Sequence, residues 1–336
     1  MSSWTPRSRR RSPRPTSSQD CADDVNITVV VAFTANVLVA LAKTTAAVLT
    51  GSASMVAESA HSWADTGNEV FLVIADRRSR RHADHTHPHG YGREAYVWSM
   101  FAAVGLFVAG AAVSIVHGIQ ELGAEEGNDS FTIAYVVLGV SFVLEGTSFL
   151  QAYRQVHRGA AAADQTVLQT ALSTSDPTLR AVFAEDSAAL IGIVIAATGI
   201  GLHQATGSPV FDAIGSILVG VLLGVIAWVL IDRNRRFLVG MAVPPEIDDL
   251  VRRRIVSMPE VSSVGYLHVE FVGPHRVYLV ASVDLVGDDS ESVVADRLRA
   301  LERRLESEEA VVEAVLTVSR PGRPPDADLD GIEPPD

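Results

Sequence analysis

The sequence contains one cysteine, Cys21, among 336 residues. A single thiol forms neither an internal disulfide nor a cysteine-based zinc cage, so any metal site must use histidine and carboxylates. Basic charge is also scarce. Against 40 Asp and Glu stand 27 Lys and Arg, a net charge of −13, which argues against nucleic acid as the main partner. No His-Glu-x-x-His segment occurs and no serine–histidine pair sits in a nucleophile context, so no catalytic motif suggests an enzyme. The first 24 residues lack the apolar core of a secretory signal peptide. They are rich in Ser, Pro and Arg (Arg7, Arg9, Arg10, Arg11, Arg14), and residues 1–25 are expected to be a disordered basic tail.

Apolar residues make up 48% of the chain, and the mean hydropathy is positive, +0.23. They are gathered into six runs, residues 27–50, 54–75, 97–118, 131–151, 181–202 and 210–231, each near the roughly 20 residues a helix needs to cross a bilayer. The predicted architecture is a mainly α membrane protein, a bundle of six spans over residues 26–236. Three connections carry no Lys or Arg: residues 51–53, the acidic 119–130 segment (Glu121, Glu125, Glu126, Asp129) and residues 203–209. The alternate ones are basic, with Arg77, Arg78, Arg80, Arg81 and Arg93, then Arg154, Arg158 and Arg180, then Arg233, Arg235 and Arg236. The positive-inside rule puts the basic ends, and with them both termini, in the cytosol.

Beyond Phe237 the pattern becomes that of a soluble domain, residues 237–320, with 20 acidic against 10 basic residues to the chain end. Pro244-Pro245 opens a helix to about residue 257, with Glu246 and Asp248 where the helix dipole favours them. Strands are predicted at 261–272 and 276–286 across Gly273-Pro274. A helix follows at 290–308, carrying Val293, Leu298, Leu301 and Leu305, and a last strand at 311–319. The order αββαβ suits a small α+β domain, and residues 321–336 read as a disordered acidic tail.

The second and fifth runs are the least apolar, and the second holds Glu58, His61, Asp65, Asn68 and Glu69. At about 100° per residue, Glu58, His61 and Asp65 share one helical face, and His61 and Asp65 are an i, i+4 pair. Ionisable groups at mid-membrane cost roughly 2.5 kcal/mol or more each and are tolerated where they line a pathway or bind an ion. Polar packing between helices, or a water-filled crevice, would use the same stripe. The fifth run holds adjacent acids, Glu185 and Asp186, which repel unless a cation lies nearby. Contact of Glu185 with Arg180 is the plainer alternative. Together His61, Asp65, Asp186 and Glu185 make a candidate shell for Zn²⁺, and also for Mn²⁺, Fe²⁺ or Co²⁺. Glu58, Asn68, Glu145 and Lys43 are expected at a second shell or along a pathway; Lys43 would otherwise pair with an acid or snorkel, and Glu145 would otherwise hydrogen-bond a neighbouring helix, while Asn36 is a further polar residue of the first run. Asp212 is expected to be a cap or a mouth residue. The loop histidines His82, His85, His87 and His89 either gather metal or are simply solvated. Gly220-x-x-x-Gly224 fits close helix packing.

Thr50-Gly51-Ser52-Ala53-Ser54-Met55, then Glu58-x-x-His61-Ser62-x-x-Asp65, resembles the cation diffusion facilitator family. So do His87-Pro88-His89-Gly90-Tyr91, Glu185-Asp186-Ser187-Ala188-Ala189 and Asp212-Ala213-Ile214-Gly215-Ser216. The likeness is strongest to its zinc transporter nine branch and spans residues 26–318. It implies six spans, a cytosolic ferredoxin-like domain, a homodimer, and export of Zn²⁺ or related ions in exchange for protons. It implies an intramembrane site of one pair from the second span, matched by His61 and Asp65, and a His/Asp-x-x-x-Asp pair from the fifth. Here the chain departs: Val182 stands four residues before Asp186, and Ala181 four before Glu185. Where many members carry C-terminal metal-binding histidines, this chain has Gly265, Ala295 or Asp296, and Val318, so no binuclear site is expected beside His268 and His275. The expected function is proton-coupled divalent-cation transport, with a metal sensor lacking flux as the alternative. The expected location is the cell membrane.

Overall fold

The computed structural model describes residues 18–123, 131–163 and 165–319. Residues 1–17 of the expected basic tail and the whole of the expected acidic tail lie outside them, as do Glu125, Glu126 and Asp129. Helix α1 spans Ser18–Thr50 and so begins inside the stretch expected to be irregular. Gly51, at φ +68°, ends α1 in a conformation that favours glycine. The chain restarts at once as α2, Ala53–Ser79, with Ser52 Oγ accepting from the Met55 N–H.

Helix α3 (Glu94–Ala102) passes through a wider π turn at Ala103–Phe107 into α4 (Val108–Glu121), which makes one continuous span. Helix α5 is Phe131–Ala163. A short α6, Val167–Ser173, follows, closed at its start by a capping box between Thr166 and Gln169. Helix α7 is Pro177–Thr206, capped by Asp176, and α8 is Val210–Val239.

Five of these helices are long and apolar enough to cross a membrane: α1, the α3–α4 unit, α5, α7 and α8. At 27 residues α2 would be about 40 Å long, sufficient in length, but its polar stripe sets it apart from the other five. The outward faces of α5 and α8 carry exposed Val136, Val140, Val143, Val221, Val225 and Trp228, an apolar surface suited to lipid. The inward faces are built from small residues, among them Ala57, Ala111, Ser114, Ala188, Ala213 and Ser216, which let helix backbones approach closely.

The remainder is α9 (Pro245–Val256), β1 (Val261–Gly273), β2 (Arg276–Leu285), α10 (Glu291–Glu306) and β3 (Val311–Val318). The sheet order is β1-β2-β3, with β1 and β2 antiparallel and β2 and β3 parallel. Ile255 of α9 and Leu301 and Leu305 of α10 share one core with Leu279, Ala281 and Leu316 of the sheet. That core also takes in Tyr96 of α3 and Phe237 of α8, whose rings stack at 5.0 Å.

The small domain is therefore seated on the helical one. Gly92 and Gly273 meet backbone to backbone; a Cβ on Gly92 would lie 2.5 Å from the Val272 carbonyl oxygen. Arg93 pairs with Glu270. Tyr96 donates to the Ser175 carbonyl at 2.9 Å, and the His275 N–H donates to Ser175 Oγ at 3.1 Å.

Candidate metal site

Helix α2 is held at its start by α8. The Ser54 N–H donates to Asp212 Oδ1 at 3.2 Å, and Ser54 Oγ donates to the Asp212 carbonyl at 2.9 Å. Asp212 is a cap, then, but for α2 rather than for its own helix. Along α2 the stripe expected from spacing faces inward: Glu58, His61 and Asn68 are all at most 1% exposed.

A cavity of about 290 Å³ opens between α1, α2, α5 and α7. Five carboxylates line it: Asp65 and Glu69 from α2, Glu145 from α5, and Glu185 and Asp186 from α7. Asn36 Nδ2 donates to Glu69 Oε1 at 3.0 Å, and Ser148 Oγ donates to Asp186 Oδ2 at 2.8 Å. Asp65 Oδ1, Glu69 Oε2 and Glu185 Oε1 are buried and accept no hydrogen bond. Buried acceptors are normally satisfied. Oxygen atoms so placed, on acids that repel one another, are what a cation entering the cavity would bind.

The expected residues divide into those the cavity gathers and those it does not. Asp65, Glu185 and Asp186 all line it. His61 does not; it is wholly buried, with Nδ1 3.5 Å from Asp65 Oδ1, and so touches the cavity's chemistry through that carboxylate. Arg180 does not neutralise Glu185: its hydrogen bonds go to the Thr174 carbonyl at 2.8 Å and to Asn234 Oδ1 at 2.7 Å, over the Phe237 ring. Glu58 and Asn68 lie outside the lining. Lys43 is wholly buried, 3.0 Å from Glu58 Oε2 and 3.9 Å from Glu145 Oε1. Among the described residues, no three His, Cys, Asp or Glu side chains converge tightly enough to hold a metal ion, so the acids share a cavity without yet meeting at a point.

Two of the four loop histidines, His87 and His89, are engaged in other contacts. Asp84 accepts from both Thr86 Oγ1 and Tyr91 Oη, which keeps its carboxyl well below the usual range. His87 stacks on Tyr91 at 4.0 Å, while His89 packs on Tyr278 and lies 3.2 Å from Glu313.

The profile of the cation efflux transmembrane domain matches residues 29–239. The chain belongs to the cation efflux, or cation diffusion facilitator, family. Among its relatives, metal tolerance protein C4 of Arabidopsis thaliana is 39% identical over 233 residues, covering 69% of this chain and 51% of the relative. The mouse protein named proton-coupled zinc antiporter SLC30A9, mitochondrial, is 36% identical over 259 residues, 77% of this chain and 46% of the relative. An uncharacterized transporter of Methanocaldococcus jannaschii is 22% identical over 302 residues, 88% of this chain and 98% of its own length. The chain thus spans about half the length of the curated relatives it matches at higher identity. The mouse name places that relative in mitochondria, which gives no support to the cell membrane as this protein's location; a membrane protein is what the family and the apolar helices support. Where the fifth-span pattern of the family would put a ligand, Val182 lines the cavity. The additional acids come from elsewhere, Glu69 one turn beyond Asp65 and Glu145 on α5. Glu69 was legible as the next step of the α2 stripe, at i+4 from Asp65; nothing in the sequence paired Glu145 with α2 and α7.

Proposed function

We propose that this protein is a secondary transporter that carries a divalent metal cation, Zn²⁺ foremost, across a membrane in exchange for protons. The observation that carries the reading is the set of five carboxylates lining one cavity inside an otherwise apolar bundle. Asp65, Glu185 and Asp186 bind the ion as substrate, and His61 joins through the side chain it shares a contact with. Counting α2 gives six spans, with both termini and the ferredoxin-like domain in the cytosol and a homodimer as the working unit.

Metal and protons compete for the same carboxylate oxygens, because the ligands must be deprotonated to bind. A proton gradient therefore empties the site on the acidic side. Access alternates by movement of helices about a fixed mid-membrane site. In purified protein reconstituted into liposomes, a pH gradient drives Zn²⁺ flux. Asp65→Ala or His61→Ala reduces that flux by about a hundredfold or more, the scale on which metal sites lose affinity when ligands and their orienting partners are removed. Wild-type flux in a folded Asp65→Ala variant overturns the site, and saturable Zn²⁺ binding without any flux overturns transport in favour of a sensor.

A further inference from the structure

Lys43 is the only lysine in the chain; the other 26 basic residues are arginines. It lies within the apolar span Phe33–Thr50 of α1, wholly buried, where its ammonium meets acids from two other helices. Its two contacts are unequal. Glu58 Oε2 accepts a hydrogen bond at 3.0 Å, and both side chains are fully buried. Glu145 Oε1 is 3.9 Å away, beyond hydrogen-bond length, and its side chain is 16% exposed where it faces the cavity. The close packing of Gly192 fixes the first contact: a Cβ there would lie 2.6 Å from Glu58 Oε1. Glu58 is thus an anchor for the ammonium, and Glu145 is the acid that Lys43 shares with the metal cavity.

We propose that Lys43 is a tethered cation that holds Glu145 while the cavity is empty of metal and yields it to the incoming dication. This rests on the transport reading above and extends it to the metal-free carrier. An exchanger returns with protons in place of metal, and any carboxylate that stays unprotonated in the low-dielectric site opposes that step. An ammonium on a flexible four-carbon stem relieves part of the repulsion and remains behind when the ion leaves. It also weakens metal binding, since it repels a dication across the cavity. At about 10 Å and an effective dielectric of 20 to 80, that repulsion corresponds to roughly 4- to 300-fold in affinity.

The single lysine allows a direct test on the unmutated protein. The full chain labelled with ¹⁵N-lysine in lipid nanodiscs has one side-chain ammonium resonance, followed by NMR during Zn²⁺ titration, with binding measured in parallel by calorimetry. The proposal expects a saturable shift of that resonance at the calorimetric affinity, and loss of most of the shift in Glu145→Gln. It also expects Lys43→Met to bind Zn²⁺ about tenfold more tightly, with a lower maximal flux. Zn²⁺ binding with an unmoved Lys43 resonance overturns the tethered-cation role and leaves transport standing, whichever way Lys43→Met folds. Absence of any Zn²⁺ binding overturns the transport reading and this inference with it.

Discussion

Replacing Gly220 with alanine tests the packing that keeps α4 and α8 in register. An added Cβ would lie 2.7 Å from Ile115 Cγ1, 2.9 Å from the Ala111 carbonyl oxygen and 3.1 Å from the Ile115 nitrogen. Two of those three neighbours are backbone, so rotation of a side chain does not clear the clash. The helices must separate by about 0.5–1 Å, which forfeits a quarter to a half of the dispersion energy at the affected contacts. Gly118 makes the reciprocal approach from α4, where a Cβ would be 2.8 Å from the Ala213 carbonyl oxygen, and the same separation loosens it. Overpacking of this kind costs about 1–3 kcal/mol. Alanine also favours a helix over glycine by about 1 kcal/mol, which partly conceals the clash in a single variant. Gly224→Ala removes that ambiguity. It carries the same propensity gain, but its nearest neighbour is Ala111 Cβ at an ordinary 3.9 Å. The difference between the two variants therefore isolates the clash, with Gly220→Ala less stable by about 1–3 kcal/mol. Reversible unfolding in mixed micelles measures it. Equal stability of the two variants would refute the argument that backbone contact at Gly220 sets the α4–α8 distance.

Two further expectations concern the site and the seat of the small domain. Ser148→Ala removes the hydroxyl that donates to Asp186 at 2.8 Å; loss of such an orienting partner lowers Zn²⁺ affinity about tenfold or more, read by calorimetry. His275 Nε2 lies 3.8 Å from Asp176 Oδ2. That carboxylate raises the imidazole above its ordinary value, against a smaller opposing effect of burial. Burial pushes Asp176 up, but His275 and the Leu179 and Thr178 N–H groups outweigh it and leave the carboxyl below its usual value. A raised imidazole contributes stability that is complete below about pH 6.5 and is lost as pH climbs through the raised value. A lowered carboxylate contributes above about pH 3.9 and loses that contribution as pH falls through the lowered value. The contact is strongest between those limits, and with the imidazole 72% exposed its effect is small. Hydrogen exchange at residues 273–276, corrected for intrinsic rates, should rise above neutral pH in the wild type and show no such step in His275→Gln.

Much of the fold was legible because it depends on local patterns. Long apolar runs mark helices wherever no water is available to backbone groups. The change to β-branched strands past Pro244-Pro245 marks a separate sheet domain. Helix α6 carries a capping-box signal in Thr166-x-x-Gln169, but its seven residues are too few for a periodic pattern. The π turn at Ala103–Phe107 had no signal, since its residues are ordinary helix-compatible ones. The Gly220-x-x-x-Gly224 spacing proved half informative: one glycine lies against a neighbouring backbone and the other does not. Which glycine faces a partner depends on the rotation of α8, and spacing alone does not report that.

The candidate site divides along the same line. The stripe on α2 is a property of one helix, and its inward direction follows from the cost of turning Glu58 and His61 to lipid. The cavity is a property of four helices. Asp65 and Asp186 are 121 positions apart, and Lys43 and Glu145 are 102 apart. One sequence without covarying partners holds no term that links such pairs. What the sequence did contain was an imbalance: several acids within apolar runs against a single lysine. Buried charges of one sign require a counter-charge, and only one fixed cation was available inside a run. That argument singles out Lys43 as an ion-pair partner before any coordinates, but it leaves open which of the acids it meets. The distances supply the missing half, a tight bond to Glu58 and a looser approach to Glu145. On that inequality, rather than on the presence of the charges, the proposed exchange of Glu145 between lysine and metal rests.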